Sequence, residues 1–201
     1  MTSRDLLVLH TLRCVGFVGL AHVAEASGLC ESDVESELID LAVVGLVTRV
    51  SGEFGGWGLT EVGRVVDGER IAHELVAIGA RAVVVEAYEE FVVLNPELLD
   101  LCAAWQIRSI EGVANDHTDA AYDTRVLDLL TGFHHRAETA CAQLFATMPR
   151  FARYQVRLAH ALTQAKAGSR VHVTDSTQSY HAIWFQLHED LLTTLSIPRE
   201  H

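Results

Sequence analysis

Apolar residues recur at helical spacing through most of the chain. Leu6, Leu7, Leu9 and Leu12 outline a short helix that stops near Gly16. Leu20 to Ala26 outline a second, closed by Gly28. Ser32-Asp-Val-Glu35 has the pattern of a capping box, in which the serine hydroxyl and the glutamate each take a free amide at a helix start. The helix it opens carries Val34, Leu38, Leu41 and Ala42 on one face, and Gly45 ends it. Leu46–Val50 and Trp57–Thr60 read as two strands around a glycine-containing turn at 51–56. Thr60 then caps a helix that starts at Glu61.

The remaining two thirds are predicted to be long helices. One stretch runs from Glu61 to about Val93, with breaks expected at Gly68 or Gly79, and Pro96 marks the start of the next helix, to Ile107. Residues 110–117 read as a polar loop. From Asp119 to about Thr147, Tyr122, Val126, Leu129, Phe133, Ala137, Ala140 and Leu144 share a face. Pro149 fits the first turn of a helix that ends before Gly168. Val171–Val173 reads as extended, and a last helix runs from Ser179 to Leu195 with Pro198 beyond it. The expected fold is mainly α: an N-terminal winged helix-turn-helix with a small β-hairpin wing over residues 1–67, then an all-α bundle over 68–201 that binds ligand and dimerises.

Composition narrows the function. The 201 residues carry a net charge of −12 with 49% hydrophobic residues, which excludes a mostly disordered chain and a protein that coats nucleic acid through phosphate contacts. Of the basic residues only Lys166 is a lysine. Cys14, Cys30, Cys102 and Cys141 form neither a zinc-ligand spacing nor a disulfide scaffold, so a reducing cytoplasm, no metal centre and no cofactor are expected. The apolar runs Leu41–Val47 and Ala82–Val85 are too short to span a bilayer, so no membrane association is expected.

The segment GLCESDVESELIDLAVVGLVTRV followed by GGWGLTEVGR resembles the winged-helix domains of MarR-type bacterial transcription regulators, over about residues 3–67. The resemblance implies DNA recognition by the helix after Ser32 and, by analogy, a homodimer. In the helical region, CAAWQIR, NDHTDAAYDTRVLDLL and DSTQSYHAIWFQLHEDLL resemble segments of actinobacterial regulator-like proteins and of a region attached to some actinobacterial pyruvate, phosphate dikinases. That second resemblance implies association with such a system but no chemistry.

The charges qualify the DNA-binding expectation. Residues 1–67 hold four basic side chains (Arg4, Arg13, Arg49, Arg64) against ten acidic ones, a net of −6. The presumed reading helix offers Ser32 and Ser36 but no Arg, Lys, Asn or Gln, and five acids that repel phosphate. Arg49 at the wing and Arg64 are the candidate phosphate contacts. Ile39 and Val43, on the same outer face, suit a protein partner.

Three other constellations carry candidate chemistry. In the last helix His181 and His188 fall inside an apolar stripe of Trp184, Leu191, Leu192 and Leu195. The alternatives are hydrogen-bonded core histidines or an effector pocket walled by Trp184 and rimmed by Tyr180. Ala182, Gln186, Glu189 and Thr193 form its expected wet face. Asn115 and His117, with Trp105 and Arg108, are candidates to complete a pocket mouth, Arg108 meeting an anionic group. Arg150, Arg153 and Arg157 share a polar face with His160 and Gln164. That face reads either as solvated or as a docking patch for an acidic partner or an anionic ligand. No catalytic motif is present. The expected function is a ligand-responsive, transcription-regulator-like protein. The alternative is a protein-interaction module that does not bind DNA.

Overall fold

The computed structural model describes residues 2–52, 55–108 and 112–198. The protein is mainly helical, with small antiparallel sheets. Helices α1 (Arg4–Val15), α2 (Leu20–Ser27) and α3 (Glu31–Val43) are followed by a hairpin of β1 (Val47–Val50) and β2 (Gly56–Leu59). Val47 pairs with Leu59 and Val50 with Gly56, and Val18, between α1 and α2, forms a further antiparallel bridge to Trp57. Helix α4 (Glu61–Ile78) starts at Thr60, whose hydroxyl accepts from the Gly63 amide, as its position before the apolar run predicted.

Helix α5 (Arg81–Gln106) leads into a short hairpin, β3 (Ile107–Arg108) and β4 (Val113–Ala114). Helices α6 (Ala120–Thr147), α7 (Ala152–Lys166) and α8 (Tyr180–Leu195) complete the chain, with 3₁₀ turns at Pro149–Phe151 and Arg170–His172. Asp119 caps α6 through the amides of Ala121 and Tyr122, and Ser179 caps α8 through that of Ala182. Among the described residues no helix is long and apolar enough to cross a membrane.

Several local readings change. Helix α3 begins two residues earlier than the capping box requires. Cys30 is its N-cap without a side-chain bond, and the Ser32 hydroxyl lies 3.2 Å from Cys30 Sγ. Pro96 lies inside α5 rather than at a break. Val92 and Val93, one turn before it, are exposed, so the helix side that loses a hydrogen bond is open to water. The break falls at Gly79, in the left-handed region (φ 71°) that favours glycine. Leu130, not Leu129, lies on the buried face of α6, and 170–172 is helical rather than extended. The expected loop at 110–117 is in part the β3–β4 hairpin, and its first two residues, like the middle of the 51–56 turn, lie outside the described residues.

Two apolar cores result. One joins α1, α2, α3 and the first hairpin through Val8, Leu9, Leu12, Val23, Val34, Leu38 and Trp57. The other joins α5 to α8 through Val84, Phe91, Leu98, Phe133, Leu144, Tyr154 and Trp184. Helix α4 serves both, with Val66 against the first and Leu75 in the second. Helix α8 packs on α5 and α7 on one side and on α1 and α4 on the other. Its expected wet face is therefore largely covered. Gln186 and Thr193 are buried because that face meets the N-terminal helices rather than water.

Two glycines of α4 test this packing. A Cβ at Gly63 would lie 1.9 Å from the Leu46 carbonyl oxygen, whereas one at Gly68 meets nothing within 4 Å. Gly68→Ala is expected to stabilise by about 0.5–1 kcal/mol through helix propensity. Gly63→Ala is expected to destabilise by about 1–3 kcal/mol or more through overpacking. Urea midpoints of the two variants against the parent decide the contrast.

Candidate functional site

Where the two cores meet, four helices and one turn converge charged side chains that are largely or wholly buried. Helix α1 presents His10 and Cys14 one turn apart on one face, with Thr11 beside them. Helix α4 contributes Asp67 and, two turns on, Glu74. The turn before α7 and its first residues place Arg150, Arg153 and Tyr154. Helix α8 supplies Asp190 and, one turn later, Thr194. His10, Asp67 and Asp190 are 0% exposed.

Asp190 is the hub. Its Oδ1 accepts from Arg150 Nη1 and lies 3.0 Å from His10 Nε2. Its Oδ2 accepts from Arg153 Nη2 at 3.1 Å and from the Tyr154 hydroxyl at 3.0 Å. The Thr194 hydroxyl donates to the Asp190 carbonyl at 2.7 Å. Arg150 Nε also donates to Glu74 at 2.9 Å, and Arg153 Nη1 to the Thr11 hydroxyl at 2.7 Å. On its other side His10 Nδ1 lies 3.1 Å from both carboxylate oxygens of Asp67, and Cys14 Sγ lies 3.7 Å from His10 Nε2.

Both ring nitrogens of His10 thus face carboxylate oxygens, which only accept. Both must donate, so the ring is an imidazolium. Burial alone opposes that charge, but Cys14 and the carboxylates of Asp190 and Asp67 outweigh it and hold the pKa of His10 well above its ordinary value. Burial likewise opposes the Asp190 carboxylate. Arg150, His10 and Arg153 override it and hold its pKa well below the usual range. Three cationic side chains (His10, Arg150, Arg153) are thus each paired with a carboxylate among Asp67, Glu74 and Asp190.

This corrects the expectation for the arginine face. Arg150 is buried and Arg153 nearly so, and the acidic group they meet is Asp190 of the same chain, not a partner or solvent. Arg157 is half-buried, 6.0 Å from the Tyr154 ring centre. A helical projection separates polar from apolar faces, but it does not say whether a polar face meets water or a matching polar face.

The eight expected pocket residues do not come together. Trp105, Arg108, Asn115 and His117 cluster around the start of α6. Asn115 Nδ2 donates to the Trp105 carbonyl and to Asp123, both at 3.0 Å; His117 Nδ1 lies 3.0 Å from Asp123; and the Trp105 and His117 rings are 4.6 Å apart. Arg108 pairs with Asp119 at 3.3 Å. His117 takes a left-handed backbone (φ 61°), rare for a residue with a side chain, held by this network. Trp184 and His188 instead stack on Phe91, at 4.4 and 4.7 Å, and Trp184 Nε1 donates to Asn95. Ten residues of α5, about 15 Å, separate Asn95 from Trp105.

Tyr180 is no rim residue. It is fully buried with its hydroxyl 3.1 Å from His134 Nδ1, and burial pushes its pKa up. His181 is partly exposed at the first turn of α8. The cavity beside Trp184, also lined by His134 and Phe145, holds about 10 Å³, too little for an effector. A larger groove of about 570 Å³ runs between α5 and α6, lined by Glu86, Glu90, His135, Arg136, Thr139 and Gln143.

Of the candidate DNA contacts, Ser32 and Ser36 are exposed on α3, Arg49 lies over the Trp57 ring at 5.3 Å, and Arg64 is exposed on α4. The outer face of α3 also leaves Ile39 and Val43 exposed. No protein-family model, curated protein or solved structure matches the chain.

Asp190, His10 and Asp67 were not distinguished by the sequence reading. The available signal was Asp190, set directly beside Leu191 and Leu192 in a helix rich in apolar residues, together with arginines one turn apart at 150 and 153. Asp190→Ala leaves two buried guanidinium groups without their shared anion and is expected to cost about 3–5 kcal/mol. Arg4→Ala, which removes an exposed pair with Asp33 at 3.4 Å, is expected to change stability by less than about 1 kcal/mol. Chemical denaturation of both variants tests the difference.

Proposed function

We propose that the protein is a regulator of the winged-helix type. Residues 1–67 form the output module, and the helical body 68–201 responds to a small-molecule effector and mediates homodimerisation. The observation that carries this reading is the element order around the first hairpin. Three helices precede a β-hairpin whose inner strand takes a third partner at Val18, between the first two helices. That order supports the winged-helix reading, in which α3 is the reading helix and β1–β2 the wing. Ser32, Ser36, Arg49 and Arg64 are its candidate DNA contacts. The α5–α6 groove has the size of a small-molecule site and is the body's candidate effector site. The ion-pair cluster around Asp190 mechanically joins body and output module, so a shift between two helix arrangements reaches α1 and α4 through it.

A second reading is favoured by the surface of α3. Ile39 is 51% exposed and Val43 81%, among Asp33, Glu37 and Asp40. An apolar patch with an acidic border fits a protein partner better than phosphate. In that reading the module docks a protein and never touches DNA, in keeping with the resemblance to a region of pyruvate, phosphate dikinase-type proteins.

Selection from a random duplex pool on the full chain, followed by anisotropy at rising salt, separates the two. The regulator reading expects a selected duplex whose affinity falls steeply with salt. It also expects Arg49→Ala and Arg64→Ala each to lower the salt slope by about one. Absence of duplex binding at low salt rejects it in favour of the protein-docking reading.

A further inference from the structure

We propose that His10, Cys14 and Asp190 form a binding site for a divalent transition metal, Zn²⁺ by the chemistry of the donors, with Asp67 orienting the histidine from behind. The donor atoms of the three side chains all lie within 4.8 Å of one another, and all three residues are buried. Imidazole, thiolate and carboxylate together are a zinc-type donor set. A tetrahedral zinc ion with ordinary bond lengths separates its nitrogen and sulfur ligands by about 3.6 Å and its nitrogen and oxygen ligands by about 3.3 Å. The corresponding separations here are 3.7 Å from His10 Nε2 to Cys14 Sγ and 3.0 Å from His10 Nε2 to Asp190 Oδ1. Two of the three ligand–ligand edges therefore match to within a few tenths of an ångström, and the third is no longer than 4.8 Å.

Two further features fit a metal site. His10 and Cys14 are one turn apart on α1, which points both donors to one side. His10 Nδ1 faces Asp67 at 3.1 Å, the carboxylate–histidine arrangement that orients the ring so that Nε2 points toward Cys14 and Asp190. Asp190 is held in place through both oxygens, Oδ1 accepting from Arg150 and Oδ2 from Arg153 and Tyr154.

Imidazole and thiolate bind a metal only in their deprotonated forms, so uptake of an ion at this site releases protons. Because Cys14 and His10 belong to α1 and Asp190 to α8, the ion would clamp the N-terminal core to the body. This site stands independently of what α3 binds.

The test uses the full chain, prepared without chelator and also refolded from denaturant with Zn²⁺ or Co²⁺. One metal per chain is expected after gel filtration. The Co²⁺ form is expected to show intense tetrahedral visible bands and a near-ultraviolet thiolate-to-cobalt charge-transfer band. Cys14→Ser, with its fold checked by circular dichroism, should lose that band. Asp67→Asn should keep it but weaken Zn²⁺ binding about 10–100-fold. Cys30→Ser, which removes the exposed thiol, should change neither. The proposal is overturned if the folded parent takes up no stoichiometric metal by either route. It is also overturned if the Co²⁺ spectrum lacks the thiolate band or if the band is lost with Cys30 rather than Cys14. Should Cys14→Ser not fold, the parent's cobalt spectrum and the Cys30→Ser control decide by themselves.

Discussion

The carboxylate of Asp190 is the constraint around which the rest of the molecule is arranged. A single anion with no exposed surface must be matched by cations equally removed from water, and those cations bring their own demands for anions. Arg150 recruits Glu74, His10 recruits Asp67, and Arg153 recruits the hydroxyl of Thr11. The result ties α1, α4, α7 and α8 together with directional bonds, where apolar contact alone would tolerate sliding. Hydrophobic packing builds two cores; this chain of charge fixes how they meet.

That arrangement explains the character of α8. A helix with one apolar and one polar face ordinarily lies on a surface. Here the polar face is turned inward, because Asp190 and Thr194 find partners on α1 and on the turn before α7. Trp184 and Leu191 meanwhile pack in the body core. The helix works as a central spine with two different faces, one apolar and one ionic.

The sequence made individual elements legible where local chemistry is self-contained. Thr60, Asp119 and Ser179 cap helices because a short hydroxyl or carboxylate before an apolar run has few other things to do. Gly79 ends a helix because of its left-handed backbone. Pro96 misled, since a proline costs a helix less where the chain faces water. The site was harder to read for a related reason. Periodicity assigned Gln186 and Thr193 to solvent and Arg150 to a face that is either solvated or a docking patch. Which polar faces pair with each other is set by tertiary arrangement, and one-dimensional spacing carries no record of it. Trp105, Asn115 and His117 do come together, being near one another along the chain. Trp184 and His188 lie elsewhere, because no local rule links them to that group.

Helix α4 belongs to both cores, with Val66 in one and Leu75 in the other, and Asp67 sits between them as part of the ionic joint. The N-terminal unit is therefore no interchangeable cassette. A recombination that transplanted it onto another body would strand His10 beside one carboxylate instead of two and leave Asp190 without one of its cations. Exchange of such modules between proteins would have to carry the matching face of the last helix along with it, so the two parts of this chain are bound to diverge together.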